Sequence, residues 1–429
     1  MNRPLISTTK TSTDIAIVNI EINSDRLQEE IETLANFSEV SAPAVTRVLF
    51  SDEDVAARNF LRDRCREVGL EIREDPIGNM FATWPGTDRS LGAVGTGSHT
   101  DAIPNAGKYD GVVGVLGGLE AIRALKESCY QPRHDITLIP FTAEEPTRFN
   151  AGCLGSRMMC GAVTPEKALS LMDKEGVCLD EWRNRAGYSG DLAEVQCREG
   201  DFSAFVELHI EQGPELEEAK EDIGAVTAIA APAGYGLRIL GEGGHAGAVL
   251  MPKRQDAFMG AAEIALALEM LAKNSGSPDT VATIGVVEVL PGAINGIPNE
   301  TRLEIDVRDI SLESRDKVLE DFRAKVTEIC ERRQLRQVWT EFNCDPPATC
   351  APHIVDAVET ASAEFGLKCR RMVSRAYHDA VFMARLAPTA MIFIPCYKGY
   401  SHRPDEYSSP QEIANGVKVL AHTLKTLAG

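Results

Sequence analysis

The sequence lacks any Cys-x-x-Cys pair. Its eleven cysteines are scattered from Cys65 to Cys396, an odd and unpatterned set that fits reduced core thiols and leaves no legible cysteine-based zinc site. It also lacks an apolar run of membrane-spanning length. The stretch at residues 15–22 is preceded by Asp14, broken by Asn19 and Glu21, and followed by no small-residue cleavage site, so neither a span nor a signal peptide is expected. Positive charge is scarce as well. With 44 Lys and Arg against 64 Asp and Glu, the formal charge is -20 and no basic patch stands out, which argues against nucleic acid and anionic membrane as partners. A small anion is not excluded, because one arginine can clamp a carboxylate locally. The expectation is a soluble, cytoplasmic protein.

What the chain does have is length: 429 residues suit two cores. Residues up to about Asn23 read as a loose arm. Leu27, Ile31 and Leu34 then mark a first helix, and residues 51–68 a second. From Val94 short apolar strands alternate with amphipathic helices. Residues 136–141 and 204–210 read as buried strands, and Val112, Val115, Leu116, Leu119 and Ile122 as a helical stripe. Gly114, Gly117 and Gly118 interrupt that helix at a cost of up to ~1 kcal/mol each, so close packing on the sheet is expected there. Later the texture changes to strands at residues 226–230, 235–240, 281–289 and 301–307, with helices only at residues 256–271 and roughly 314–332. After Asp345-Pro346-Pro347 the first texture returns, ending in a helix opened by a capping box of Ser409 and Glu412 with Pro410 at its first position. The expected architecture is α/β, with residues 1–222 and 343–429 as the larger domain and a smaller α+β domain, 223–342, inserted into it.

The residues that carry chemistry fall at strand ends. His99-x-Asp101 closes one strand, and Asp110 stands where the next helix begins. Asp101 is placed to hold the second nitrogen of the imidazole, although His-x-Asp is also a common local pair. Glu144-Glu145 follows the strand at 136–141, where one acid can bind metal and the other act as general base. An exposed acid pair at a helix start is the blander reading. His209 and His402 end or follow further strands. Five ligands, His99, Asp110, Glu145, His209 and His402, with one bridging carboxylate suit two metal ions. The run Gly241 to Gly247 is not a dinucleotide fingerprint, because the next helix starts only near Asp256. A loop presenting His245 fits better.

This ordered set, together with Glu207-Leu208-His209-Ile210-Glu211-Gln212-Gly213-Pro214, Gly244-His245-Ala246-Gly247 and Ser401-His402, resembles the M20-type dinuclear amidohydrolases of the carbamoylase and allantoate branch, over nearly the whole chain after residue 25. Within that branch, Glu144 to Phe149, Ser374 to Asp379 and Ile394 to His402 resemble the members acting on ureidoglycolate. The carbamoylases and allantoate enzymes commonly carry a small residue where Tyr377 stands. The resemblance implies an aminopeptidase-like catalytic domain with an inserted dimerisation and lid domain. It implies two divalent ions, Mn²⁺ favoured and Zn²⁺ possible. Asp110 would bridge them, with His99 and His209 on one and Glu145 and His402 on the other. Glu144 becomes the base, Asp101 supports His99, and His245 stabilises the oxyanion. Gln212, His245, Asn295, Arg308, Tyr377 and His378 become substrate contacts. Arg308 could instead pair with Asp306 or Glu304, and Asn295 lies in a turn-rich loop. The implied substrate is a small ureido acid, ureidoglycolate ahead of N-carbamoyl amino acids or allantoate, and the implied assembly is a homodimer in which His245 and Arg308 act across subunits. The alternative from another class, a metal-binding scaffold without turnover, has no need of a non-ligand acid such as Glu144.

Overall fold

The computed structural model describes residues 20–429. Most of the arm expected up to Asn23 lies outside them, and its described end is tied down. Ile20 is buried, Asn23 caps the helix Ser24–Ala35, and the Asn23 amide donates to Glu120.

A nine-stranded mixed sheet forms the larger body. Its centre is parallel: Ala93–His99 lies between Ile136–Phe141 and Phe202–Ile210, and Phe202–Ile210 pairs in turn with Thr389–Ile394. These strands are apolar on both faces because both are covered, as parallel sheets require. Helices Val112–Glu127 and Pro410–Ala428 pack side by side against the sheet. At Gly114 a Cβ would stand 2.4 Å from the carbonyl oxygen of Leu208, so the glycine gives the helix the close approach anticipated for it. The capping box also forms: Ser409 Oγ accepts from the Glu412 amide, and the Glu412 carboxylate accepts from the Ser409 amide.

The smaller body is a four-stranded antiparallel sheet in the order Val281–Leu290, Glu300–Asp309, Ala231–Leu240, Arg336–Cys344. Helices Ala257–Lys273 and Leu312–Arg333 close over it around a separate core that includes Leu237, Leu303, Ile305, Val307 and Phe322. One expectation needs correction. The strand Ile223–Ile229, counted with the small domain, belongs to the large sheet, where it pairs with Thr389–Ile394, Cys369–Ser374 and Ala348–Thr349. The chain changes sheets at Ala230, not at residue 222, and returns after Cys344. Buried Arg315 clamps the crossing, donating to the carbonyls of Ala231 and Asp345, one on each connecting segment.

Candidate metal centre

Because the four central strands run in one direction, their carboxyl ends and following loops gather at one edge. His99 is the last residue of its strand and His209 the penultimate residue of its own. Glu144 and Glu145 follow Phe141, and His402 lies in the loop beyond Thr389–Ile394. Asp110 arrives at the mouth of Val112–Glu127. There Gly111 turns at φ 67, where a Cβ would meet the His99 ring at 2.5 Å.

The structure brings all five expected ligands together. Asp110 Oδ1 is 3.6 Å from His99 Nε2 and 3.2 Å from His209 Nε2, and Asp110 Oδ2 is 3.2 Å from His402 Nε2. His402 Nε2 is also 3.1 Å from Glu145 Oε1. Two triads share Asp110, one with His99 and His209, the other with Glu145 and His402. Ligand atoms held about 2.1 Å from a tetrahedral ion lie roughly 3.4 Å apart, so the spacing fits. The tautomers fit too. His99 Nδ1 is 3.0 Å from the Asp101 carbonyl and His209 Nδ1 is 2.9 Å from that of Ile210. A carbonyl can only accept, so each Nδ1 carries the hydrogen and each Nε2 turns a lone pair toward the Asp110 oxygen. Lone pairs facing one another in a buried site call for a cation between them. Burial would raise the Asp110 carboxyl, but the close imidazoles of His209, His402 and His99 hold it well below the usual range.

Asp101 does hold the second nitrogen of His99, as expected, but through its backbone, and its side chain has a further job. It meets His99 through its carbonyl, while its carboxylate accepts from the backbone amides of Glu144 at 3.4 Å and Glu145 at 3.0 Å. The carboxylate stays 3.9 Å from the ring nitrogen. Gln212, expected at the substrate, donates through Nε2 to Asp110 Oδ2 at 2.9 Å and Ser401 Oγ at 3.1 Å, while its buried Oε1 has no partner among the described residues.

Glu144 is buried, with Oε2 3.6 Å from His99 Nε2 and Oε1 contacted by the Cys153 thiol at 3.6 Å. Burial, opposed by His99 and reinforced by Glu145, pushes its carboxyl well above the ordinary range. His378 packs edge-on against His209 at 4.5 Å with Nε2 3.1 Å from Ser374 Oγ, and burial beside His209 holds it neutral. The Tyr377 hydroxyl lies 3.0 Å from Asp345 Oδ2, so its hydrogen is already engaged.

Arg308 does pair with Asp306, at 2.8 and 2.9 Å, using Nε and one terminal nitrogen. The opposite edge of the guanidinium stays available as a fork. Burial works against its charge, but Asp306 and, further off, Glu144 and Tyr377 sustain it. The strand Glu300–Asp309 brings its carboxyl end against the large body, where Arg308 reaches the Arg375 carbonyl at 3.5 Å. His245 and Asn295 differ. Both are exposed and adjacent, His245 pairing with Gly296 while the Ala246 amide donates to the Asn295 carbonyl. Among the described residues, no hydrogen bond or ion pair joins either side chain to the cluster.

Several residues around the centre carried no signal in the sequence. Buried Glu406 accepts from the amides of Tyr109 and Asp110 and lies 3.0 Å from Ser401 Oγ, and burial beside Asp110 raises it to about 7. Cys153 and Asp345 were likewise unmarked. Asp345 showed only as part of a Pro-flanked break.

Imidazoles and carboxylates around a shared acid at the carboxyl edge of a parallel sheet, with a further buried acid alongside, define a metal-dependent hydrolase centre. The pattern of peptidase family M20/M25/M40 matches residues 95–426, and the chain belongs to that family. It is 51% identical over 414 residues to a protein of Oryza sativa subsp. japonica named ureidoglycolate hydrolase, a match covering 95% of this chain and 85% of that one. It is 36% identical over 408 residues to an N-carbamoyl-L-amino-acid amidohydrolase of Pseudomonas sp., covering 94% and 98% of the two chains. Among solved structures, that of AtUAH in complex with glyoxylate superposes with a TM-score of 0.87 at 48% identity, over 95% of this chain and 98% of that one.

Proposed function

We propose that this chain is a metal-dependent amidohydrolase that cleaves the ureido group of ureidoglycolate, yielding glyoxylate, ammonia and carbon dioxide in the breakdown of purine-derived ureides. The observation that carries the reading is the buried, non-ligand Glu144 set 3.6 Å from the ligand nitrogen of His99, beside the two triads that share Asp110. The rice relative's name and the glyoxylate complex support the substrate.

His99, Asp110 and His209 would hold one divalent ion, and Asp110, Glu145 and His402 a second. The mixed nitrogen and oxygen donors, without thiolate, suit Mn²⁺ first and Zn²⁺ next. When bound, the ions supply Lewis acidity and lower the pKa of water. Glu144 Oε2 takes the proton of the water that attacks the ureido carbonyl, and returns it to the departing nitrogen. Asp101 fixes the backbone of both glutamates, so base and ligand keep their separate directions. Arg308 offers its free fork to the substrate carboxylate. Carbamate and hydroxyglycine leave, and both decay unaided.

The remaining contacts come from a second copy. The edge strand Val281–Leu290 exposes Val286 (45%) and Val287 (53%), and the helix Ala257–Lys273 exposes Leu266 (68%) and Met270 (52%), an apolar face suited to a homodimer. Exposed His245 then stabilises the oxyanion in the partner's site, with Asn295 beside it. Among the described residues no helix is long and apolar enough to cross a membrane, and eleven free cysteines suit a reducing compartment, the cytoplasm in this reading.

The test is kcat/KM for freshly made ureidoglycolate, an N-carbamoyl-L-amino acid and allantoate on metal-loaded protein. Ureidoglycolate should lead by about 10²-fold or more, and Tyr377→Gly should narrow the lead by opening room for larger substrates. Equal turnover of an N-carbamoyl amino acid would replace this reading with a carbamoylase.

A further inference from the structure

We propose that Asp345 is a specificity-determining residue acting through Tyr377. It takes the phenolic hydrogen, leaves the phenol oxygen able only to accept, and so selects substrates whose α-substituent donates a hydrogen bond. The proposal rests on the assignment of a hydroxy ureido acid as substrate.

Asp345 lies on the segment where the chain returns from the small sheet to the large one. Its side chain is held by two arginines of the large body, Arg157 at 3.2 Å and Arg385 at 2.9 Å. Both guanidiniums also sit over the ring of Phe382, at 5.6 and 4.9 Å, and Tyr377 packs edge-on against the same ring at 5.4 Å. A carboxylate between two guanidiniums is ionised and has only acceptor sites. The 3.0 Å contact between Tyr377 Oη and Asp345 Oδ2 therefore fixes the direction of the hydrogen bond: tyrosine donates, aspartate accepts. The phenol has one hydrogen, so whatever else touches its oxygen must bring its own.

The segment that carries Tyr377 lies against the cluster: His378, the next residue, packs edge-on against His209 at 4.5 Å, and Arg308 reaches the carbonyl of Arg375, two residues before the tyrosine, at 3.5 Å. An α-hydroxyl satisfies the phenol oxygen. A hydrogen in its place leaves the oxygen unmet, and an acceptor-only group such as fluorine sets lone pair against lone pair. Asp345 touches no reacting atom in this scheme. It positions Tyr377 and sets its polarity, and its carbonyl, bound by Arg315, ties that polarity to the chain crossing.

The test uses the metal-loaded, full-length enzyme and two comparisons. The first is the ratio of kcat/KM for ureidoglycolate over ureidoacetate, which lacks only the hydroxyl. The second is the ratio of affinities for glycolate over fluoroacetate as competitive ligands, donor against near-isosteric acceptor. Wild type should favour the donor in both, by at least about tenfold. Tyr377→Phe should collapse both ratios. Asp345→Asn should collapse them too, and raise fluoroacetate relative to glycolate, because the asparagine oxygen keeps Arg385 while its NH₂ takes the Oδ2 position, where Arg157 loses its acceptor and the phenol is reversed. The double variant should match Tyr377→Phe. Equal losses on both members of each pair in Asp345→Asn would make Asp345 merely structural and overturn the proposal. If that variant does not fold, wild type alone decides: fluoroacetate binding as tightly as glycolate means the phenol donates outward, and the proposal falls. A wild type that prefers N-carbamoyl amino acids sinks the substrate assignment instead, and the glycolate and fluoroacetate pair then decides on Asp345 by itself.

Discussion

Two neighbouring acids, Glu144 and Glu145, hang from one carboxylate, that of Asp101, and are separated by what each side chain meets. Glu145 reaches His402, whereas Glu144 lies between His99 and the Cys153 thiol. Glu144→Gln keeps the shape and removes the base, so it should retain near-wild-type metal content while kcat falls by about 10²- to 10⁴-fold. Glu145→Gln should instead lose metal from one position. Elemental analysis of protein purified without chelator, alongside single-turnover rates, checks both, and the opposite pattern would exchange the two assignments. At this scale the five ligands were legible because imidazole and carboxylate at strand ends stand out from an apolar background. Glu406 was not, since nothing in its surroundings in sequence says that it will meet the amides of Tyr109 and Asp110 nearly three hundred residues earlier.

Among elements, the helix Val112–Glu127 does most to place the centre, because its mouth carries Asp110 and its inner face rests on the strand that carries His209. Gly114 sets that distance. Alanine has the better helix propensity by about 1 kcal/mol, yet its Cβ would press on a backbone oxygen that cannot rotate away. Gly114→Ala should therefore destabilise the protein by roughly 1–3 kcal/mol, seen as a lower midpoint in urea, and should loosen metal retention. An unchanged or raised midpoint would show that helix and strand are free to part. The glycines themselves were readable in sequence, as were the helical stripe and the capping box, because each depends on local spacing alone.

For the whole molecule, the question is which surfaces complete which site. Arg308 reaches the Arg375 carbonyl of its own chain, whereas His245 and Asn295 are exposed. Mixing inactive His245→Ala with inactive Glu144→Gln should restore activity, up to about half of wild type per hybrid dimer, because one of the two sites is then intact. Mixing Arg308→Ala with Glu144→Gln should restore none. Recovery in the second mixture, or none in the first after proven subunit exchange, would reverse these placements.

By itself the sequence determined the alternation of strands and helices, the run of a second small α+β body, and the residue types able to bind metal. These follow from side-chain periodicity and chemistry within a few residues. Only the tertiary structure decided that the chain changes sheets at Ala230, that the Asp101 carboxylate serves the glutamate backbone, and that Gln212 braces Asp110. It alone also decided that the Tyr377 hydrogen is given to Asp345. Each of these turns on the direction of a hydrogen bond or a strand pairing between distant segments, and direction in space is not encoded in local spacing.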